Sequence, residues 1–588
     1  MVESRTLFCK IIASIWSGLK KITKEPAFYI YLISAVIYLP WFLPNLRDIG
    51  PYDETYYLIS GRNLLQGQLP DLAGGPLLSF FYLLTYLPFI NSPFWLIHAN
   101  SLGRFILFSV VFLGAYHVAK SLKDHFQPVI LYGFLFLTPL LTYNFEYPAD
   151  LLFAGLSALA FAQAVNYLNT RSIKHLWWAS FWLGLGMLTR GDALIIVLAL
   201  AAFILIIQNK HISKWRLLMA VLIPFLTLST GYVLMRGMIT SDYQTGMNYR
   251  SYTAFEQGQE MDLHEDVGRF AAPTESYYVV RELFGTPEEN QYSVFRAISR
   301  NPQAYLRRLI NVTRSLPGLF LTAYYRRYAI FLGMLALRGL IELIGRKKYE
   351  LVAVHLIWVL PLSAGIARTL VRVGYFRLFY FVVFSLAIIG VKALMDSLGR
   401  SYEGLVWAGL MGLVMLLALS QGDTAIQFGM LIFLCWLLLA YLLSIRNPTY
   451  PHWQQLALLL LFAGGLTLRG VFLIYQPRVL GEEPFEQASL VLREVTEPGD
   501  YVLTCTPSVV FMADRQVANF CSPNIPDFES SDAFIEWMVV QDFYAIFLDN
   551  SSPTYFGDLS FDQVGESLTQ VYASRGGEAY IFMVNQQE

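Results

Sequence analysis

Two pairs of acidic residues lie where amphipathic or apolar segments of the sequence begin. In PYDETYYLISGRNLLQG, Asp53 and Glu54 precede an amphipathic stretch, and in YNFEYPADLLFAG, Glu146 and Asp150 precede an apolar one. A carboxylate in the first turn of a helix accepts hydrogen bonds from free backbone N–H groups, so these acids can be helix caps. Carboxylates that converge on one cavity can instead act as a general base and the group that orients it. Both interpretations remain open from these residues alone.

Arginine occurs at two further turns. Arg190 stands beside Asp192 in MLTRGDALI, and the stretch ARTLVRVGYFRLFY, residues 367–380, carries Arg368, Arg372 and Arg377. The planar guanidinium group matches the geometry of phosphate oxygens and binds them through two parallel hydrogen bonds. Alternatively, these side chains extend to lipid headgroups or pair with nearby acids. Proton transfer by carboxylates and phosphate binding by arginine are therefore the chemistry that the fold would have to bring together.

The composition indicates which elements position these residues. The chain of 588 residues is 55% hydrophobic and only 14% charged, whereas soluble domains contain about 25% charged residues. Apolar runs of roughly 17–25 residues recur, which is the length of a membrane-spanning helix. The sequence therefore predicts a polytopic α-helical membrane protein with membrane lipids as partners. The formal net charge of −1 gives no basic surface, and nucleic acid is not expected as a partner.

The apolar runs and the positions of lysine together predict the topology. We predict about thirteen transmembrane helices within residues 26–475, near 27–45, 94–119, 128–145, 149–168, 176–190, 192–208, 216–236, 328–344, 350–367, 375–395, 404–420, 425–444 and 454–475. With a cytoplasmic N-terminus, this alternation places every lysine at the cytoplasmic side, as positively charged loops require. Residues 1–25 are basic and amphipathic, and predict either a helix on the inner membrane surface or a disordered tail. They do not have the pattern of a cleavable signal peptide.

This topology places the acidic and arginine-containing turns on the outer face of the inner or plasma membrane. The outer loops are residues 46–93 and 237–327, and the second of them contains no lysine. Within it, SRNPQAYLRRLINVTRSL, residues 299–316, predicts an amphipathic helix on the membrane surface. Leu306, Leu309 and Ile310 would share one face of that helix, with Arg308 off the apolar stripe.

Residues 476–588 predict a small extracytoplasmic α/β domain. The expected helices are EPFEQASLVLREV and SSDAFIEWMVVQ, and the expected strands are DYVLTC, VANFC, YAIFLD and AYIFMV. The segment contains neither a nucleotide-binding fingerprint nor a nucleophile elbow, and its role is acceptor recognition or support. Cys505 and Cys521 both fall in it, and they form either a disulfide or two buried thiols.

The order of these motifs on one face resembles a known family. PYDETYYLISGRNLLQG is followed by GGPLLSFFYLLTYLPF, then EYPADLLFAGLSALAF, GLGMLTRGDALIIVLAL, a long outer loop, GYFRLFYF and an outer C-terminal domain. This order resembles the GT-C fold glycosyltransferases, particularly the bacterial relatives of protein O-mannosyltransferases and the lipid A aminoarabinose transferase. Many relatives have lysine where this chain has Arg190. The Trp-Trp-Asp signature of oligosaccharyltransferases is absent, which argues against transfer to asparagine.

The resemblance implies a GT-C-like transmembrane domain and a reaction in the cell envelope. A polyprenyl-phosphate sugar would be the donor substrate, and a hydroxyl of a lipid, glycan or protein would be the acceptor. Asp53 would act as general base in an inverting transfer, and Arg377, Arg372 and Arg190 would bind the donor phosphate. Asp150, with Glu54 and Glu146, would hold the acceptor, the base or a metal.

The resemblance also bears on the aromatic residues and on cofactors. Tyr56 and Tyr57 would stack on a sugar, although an aromatic belt at the membrane interface explains them as well. No cofactor is firmly implied, and a divalent cation is possible.

Two other functions remain alternatives at this stage. A secondary transporter would show internal repeats and charged residues at the bilayer midplane, and the sequence has no recognisable repeat. A non-catalytic protein of surface-glycan assembly would not need Asp53.

Overall fold

A computed structural model of the chain describes residues 26–43, 46, 49–50, 53–122, 147–207, 212–263, 275–323, 327–369, 371, 375–376, 378–397, 484–519, 528, 530–549, 555–556, 559–560 and 568–584. Helices predominate up to residue 397, and the described strands all follow residue 500. The protein therefore combines a helical membrane part with a smaller sheet domain.

In the membrane part, helices that are close in the sequence also pack against each other. Up to residue 240 they are α1 (Pro26–Ile37), α2 (Leu39–Phe42), α3 (Asp53–Asn63), α4 (Pro76–Tyr86), α5 (Trp95–Ser121), α6 (Pro148–Thr170), α7 (Ile173–Met187), α8 (Asp192–Ile206) and α9 (Lys214–Thr240). Helix α5 packs along α6, α6 along α7, and α7 along α9. The side chains between them are almost entirely apolar and belong to one buried cluster.

Later helices form the long outer loop and return to the membrane part. They are α10 (Met247–Leu263), α11 (Glu275–Phe284), α12 (Val294–Arg300), α13 (Pro302–Ala323), α14 (Arg327–Gly345), α15 (Tyr349–Val359), α16 (Pro361–Ala367) and α17 (Tyr380–Ser397). Helices α10, α11 and α12 share a small core of their own, which includes Tyr252, Phe255 and Phe284. The long outer loop is therefore a folded helical unit.

The described helices agree with the predicted spans where both exist. Three of them, α5, α6 and α9, are long and apolar enough to cross a bilayer, and α15 with α16, bent by 40°, would make a fourth. Nine predicted spans coincide with described helices. The spans predicted near 128–145, 404–420, 425–444 and 454–475, and the N-terminal segment 1–25, lie outside the described residues. The total of about thirteen spans stays a prediction.

The structure divides one predicted helix of the outer loop into two. The predicted helix 299–316 is two helices, because α12 ends at Arg300 and α13 begins at Pro302. Leu306 and Ile310 are exposed and Leu309 is half-buried, whereas Arg308, off this stripe as predicted, is buried against the protein. The helix thus turns an arginine, and not its apolar stripe, toward the loop core.

The C-terminal domain is a five-stranded mixed sheet with helices. Its elements are α18 (Pro484–Val495), β1 (Tyr501–Thr504), α19 (Pro507–Met512), β2 (Gln516–Asn519), α20 (Ser531–Val540), β3 (Phe543–Asp549), β4 (Tyr555–Phe556), β5 (Leu559–Ser560), β6 (Thr569–Ala573) and β7 (Ala579–Met583). The strand order is β2-β1-β3-β7-β6, with β1 parallel to β2 and β3. The predicted helices and strands of this segment are present, while α19, β4, β5 and β6 were not predicted.

The C-terminal domain docks on α3 and α5 through α19. Val509 and Val510 of α19 belong to the same buried cluster as Trp95 of α5. Arg62, in the last turn of α3, donates to Asp514 Oδ1 at 2.5 Å, and its guanidinium lies 5.3 Å from the centre of the Trp95 ring. The domain and the segment that begins with Asp53 therefore lie on the same side of the membrane part, as predicted.

Cysteine pairing is seen at one of the two predicted positions. Cys505 is disulfide-bonded and buried. Cys521 lies outside the described residues, so the pairing of these two cysteines stays a prediction.

Candidate active site

Helix α3 presents the predicted acidic pair in its first turn, with the two side chains in different environments. Glu54 is fully buried, and its carboxylate accepts from Nε and Nη2 of Arg104, each at 2.7 Å. The backbone N–H of Gly50 donates to the same carboxylate at 2.8 Å, and Arg104 Nη1 donates to the carbonyl of Trp41 at 3.2 Å. Both charges of this pair are 0% exposed. Glu54 therefore anchors α3 to α5 and does not reach a substrate.

Asp53 points elsewhere because consecutive residues of a helix are rotated by about 100°. It is half-buried, and its charge acts on the hydroxyls of both Tyr56 and Tyr57. Of the two predicted site carboxylates on α3, Asp53 is therefore the one that is not fully buried.

The two tyrosines of α3 also differ in exposure. Tyr56 is 51% exposed, whereas Tyr57 is 1% exposed. Burial, reinforced by Asp53, raises the pKa of Tyr57 to about 12, although its hydrogen bond with Arg250 acts in the opposite direction. The ring of Tyr57 is therefore unavailable for stacking on a sugar, which corrects that part of the prediction. Stacking on Tyr56 stays a prediction.

A close helix contact fixes the position of α3. A Cβ atom on Gly61 would lie 2.7 Å from the backbone nitrogen of Leu83 and 2.8 Å from the carbonyl carbon of Tyr82. Only glycine allows α3 to approach α4 at this distance. Ser60 Oγ and Ser79 Oγ share a hydrogen bond of 2.6 Å beside this contact. The helix that carries Asp53 is thus held by α4 along its length and by Arg104 at its start.

The predicted turns after α7 and before α6 meet at one arginine. Arg190 donates to Asp150 Oδ1 through Nη1, and to Asp192 Oδ2 at 2.8 Å through Nε. Its guanidinium also lies 5.9 Å from the centre of the Tyr375 ring. This cluster, Asp150, Arg190, Asp192 and Tyr375, joins three turns that the sequence placed on one face. It carries two carboxylates for one guanidinium, so Arg190 is already largely neutralised.

A second arginine completes the site from the long outer loop. Arg250 of α10 is exposed. Its Nη1 donates to the carbonyl of Ala73, and its side chain bonds to Tyr57. Among the described residues, Arg250 bonds to a carbonyl and a neutral hydroxyl and forms no ion pair with a carboxylate, so its charge can contribute to binding an anion.

The first outer loop and the segment before α10 are bound together by several hydrogen bonds. The backbone N–H of Ala73 donates to the carbonyl of Thr245 at 3.0 Å. Tyr232 Oη donates to the carbonyl of Pro70 at 2.5 Å, and Arg236 donates to the carbonyl of Leu69 at 3.3 Å. The first bond joins the two loops, and the other two hold the first outer loop against the end of α9. Together they fix the segment that leads to α10, the helix that carries Arg250.

Three predicted site residues lie outside the described residues: Glu146, Arg372 and Arg377. Their roles stay predictions. The structure adds two residues that the sequence analysis did not select, Arg250 and Asp71. Asp71 Oδ1 accepts from the backbone N–H of Gly74 at 2.6 Å, and its charge acts on Tyr56. Neither residue belongs to a motif, so only the contact between the two loops reveals them.

Within the described part of the chain, no group of three or more His, Cys, Asp and Glu side chains is arranged to hold a metal ion. Two carboxylates of the candidate site, those of Asp150 and Asp192, both pair with Arg190.

The fold is similar to that of two solved membrane enzymes. ArnT from Cupriavidus metallidurans, in a structure bound to undecaprenyl phosphate, superposes with a TM-score of 0.52 at 13% identity, over 95% of this chain and 98% of ArnT. The oligosaccharyltransferase of Archaeoglobus fulgidus superposes with a TM-score of 0.52 at 12% identity, over 96% of this chain and 75% of that protein. No protein-family model and no curated protein match the sequence. The chain therefore has the GT-C fold, as the order of its motifs implied.

Proposed function

We propose that this protein is a membrane glycosyltransferase that moves a sugar from a polyprenyl-phosphate donor to a hydroxyl acceptor on the extracytoplasmic face. One observation carries the proposal: turns that are far apart in sequence bring Asp53, Tyr57 and Arg250 together beside the Asp150–Arg190–Asp192 cluster. This arrangement offers a carboxylate for proton transfer and an arginine for phosphate. The similar folds support it, since ArnT is described with undecaprenyl phosphate and an archaeal relative, AglB, with a dolichol-phosphate.

In the proposed reaction, Asp53 takes the proton of the acceptor hydroxyl. The acceptor oxygen forms a bond to the anomeric carbon as the bond from that carbon to the phosphate oxygen breaks. The electron pair leaves with the polyprenyl phosphate, and the configuration at the anomeric carbon is inverted. Asp53 keeps the proton until solvent removes it, so no further reactant is needed.

The other residues have supporting roles in this mechanism. Arg250 binds the leaving phosphate, together with Arg372 and Arg377. Asp150 and Asp192 orient Arg190, which binds the acceptor or the phosphate through its remaining N–H groups. Glu54 is a positioning residue, because its buried pair with Arg104 fixes the first turn of α3.

The test is sugar transfer in liposomes that contain the full-length protein. A panel of polyprenyl-phosphate sugars is offered together with total membrane acceptors, and Asp53→Asn is compared with the wild type. Glu289→Gln serves as a control, because Glu289 is an exposed acid of the same outer face that lies outside the site. We expect Asp53→Asn to lose transfer by at least about 100-fold and Glu289→Gln to retain it. Equal turnover by Asp53→Asn and the wild type would remove Asp53 from the mechanism.

A binding measurement tests the phosphate site separately. Titration with undecaprenyl phosphate is expected to give about tenfold weaker binding for Arg250→Ala, since a charged hydrogen bond contributes about 1.5–3 kcal/mol. Arg250→Lys should recover part of the loss. Unchanged affinity in Arg250→Ala would place the phosphate elsewhere.

A further inference from the structure

The turn after α16 has an unusual backbone conformation at Thr369. This residue has a φ of +56°, a conformation that a β-branched side chain rarely adopts because its Cβ approaches the following carbonyl. Thr369 is also buried. Such strain persists only where surrounding contacts enforce it, and it is found mainly at functional sites.

The contacts that enforce this conformation come from the long outer loop. Gln259 of α10 donates to Thr369 Oγ1 through Nε2, and Thr369 Oγ1 donates to the carbonyl of Arg368 at 2.7 Å. Tyr305 of α13 donates to the carbonyl of Ala367 at 2.6 Å. Residues 367, 368 and 369 therefore each take part in a hydrogen bond made by a side chain.

Arg308 fixes the orientation of Gln259. Its Nη1 donates to Gln259 Oε1 at 2.7 Å and to the Gln259 carbonyl at 2.9 Å. A guanidinium group only donates hydrogen bonds, so the Gln259 oxygen must face Arg308 and the amide nitrogen must face Thr369. Gln259 is 0% exposed and Arg308 is 8% exposed. The hydrogen bonds thus run in one direction, from Arg308 through Gln259 and Thr369 to the backbone of Arg368.

Arg368 lies beside the candidate active site. The segment that follows it carries Tyr375, whose ring centre lies 5.9 Å from the guanidinium of Arg190, and the charge of Arg368 acts on the Tyr375 hydroxyl. Arg368 is half-buried. The strained backbone and the buried hydrogen bonds therefore hold the main chain at Arg368, on the segment that leads to the Asp150–Arg190–Asp192 cluster.

We propose that Gln259 is a positioning residue, which through Thr369 holds Arg368 where it binds the phosphate of a lipid-linked substrate. This inference rests on the proposed function, since it assigns a further cation to the phosphate of the same donor. The long outer loop then shapes the phosphate site from a distance, because Arg308 and Gln259 themselves do not touch the ligand.

The experiment is a binding titration of undecaprenyl phosphate with the full-length protein in nanodiscs. We expect Arg368→Ala to weaken binding about tenfold, the loss of one charged hydrogen bond. Gln259→Met keeps the side-chain length and removes both polar atoms, and we expect it to weaken binding by a similar factor. Gln257→Met is the matched control, with the same substitution two residues away on the same helix, and it should bind as the wild type does.

The double variant separates positioning from a general structural role. If Gln259 acts through Arg368, Gln259→Met/Arg368→Ala binds no more weakly than Arg368→Ala alone, because the affected cation is already absent. In transfer assays, Gln259→Met should raise the donor KM and leave kcat unchanged. Independent losses that multiply in the double variant would overturn the proposal, and so would wild-type affinity in Arg368→Ala.

One further variant and the wild-type titration separate this inference from the proposed function. Thr369→Gly relieves the backbone strain and removes the hydroxyl, so it should weaken binding even where Gln259→Met does not fold. Wild-type affinity in folded Thr369→Gly would contradict the inference while the proposed function stands. Absence of saturable binding by the wild type would contradict the proposed function, and the inference with it.

Discussion

The buried pair of Glu54 and Arg104 gives a strong prediction about stability. The two side chains are 0% exposed and share two hydrogen bonds of 2.7 Å. Removing one partner leaves an uncompensated buried charge, which costs about 3–5 kcal/mol, whereas replacing both partners with apolar groups is often close to neutral. We therefore expect Glu54→Leu and Arg104→Met each to cost about 3–5 kcal/mol.

The double variant Glu54→Leu/Arg104→Met should cost far less than the sum of the two. Its remaining cost comes from the N–H of Gly50 and the carbonyl of Trp41, which lose these partners. Each of these groups that stays unsatisfied lowers the free energy of unfolding by about 1–3 kcal/mol. The assay is unfolding of the purified protein by increasing SDS, followed by circular dichroism. Additive losses in the double variant would refute the pairing.

A matched pair elsewhere separates stability from activity. Arg338 and Glu342 form a largely buried pair at 2.9 Å within α14. Substitution of Arg338 by Met should lower stability and leave the residual transfer per folded molecule unchanged. Glu54→Leu should lower transfer as well, because it frees the first turn of α3 that carries Asp53. Equal specific activity in the two variants would remove the positioning role of Glu54.

Two further predictions concern the outer loops. Gly246 has a φ of +68°, and a Cβ atom there would lie 1.9 Å from Asp71 Oδ2. Gly246→Ala should therefore separate the two loops and abolish most transfer. The control is Gly67→Ala, at a φ of +79° with nothing within 4 Å, which should lower stability only by the backbone cost of about 1–2 kcal/mol. Equal activity of these two variants would show that the contact with Asp71 is unimportant. Burial raises the pKa of Glu256, although the charge of Arg281 acts in the opposite direction. The charged form of Glu256 therefore destabilises the fold. Thermal stability should rise as pH falls from 7 through that raised pKa. Glu256→Gln should remove this dependence and be at least as stable as the wild type at pH 7, and an unchanged slope of melting temperature against pH would contradict the assignment.

The helices and the common face of the acidic turns were predictable from the sequence. Apolar runs of span length identify α5, α6 and α9, and the lysine positions place Asp150 and Arg190 at the same side of the membrane. Strands β1, β2, β3 and β7 of the C-terminal domain follow from short apolar runs. These are local patterns, which can be recognised in the sequence without knowledge of the tertiary structure.

The division of roles between neighbouring residues was not predictable. Asp53 and Glu54 are adjacent acids, and Tyr56 and Tyr57 are adjacent aromatics, yet one member of each pair is buried. The direction of α3 relative to α5 decides which one, and no local pattern contains that direction. Arg250 joins the site through a contact with Ala73 that spans 177 positions, so its role also depends on tertiary structure alone.

The two attachments of α3 have a consequence for how the protein is made. The bond from Arg104 to Glu54 spans 50 positions, whereas the bond from Arg62 to Asp514 spans 452. At a synthesis rate of about 5–20 residues per second, the second attachment follows residue 62 by roughly 20–90 seconds. During that interval the helix that bears Asp53 is held by Arg104 and by α4, but not yet by the C-terminal domain. The nascent chain therefore acquires the anchor of α3 to α5 early, and the contact of α3 with the C-terminal domain only when that domain has been made and has docked.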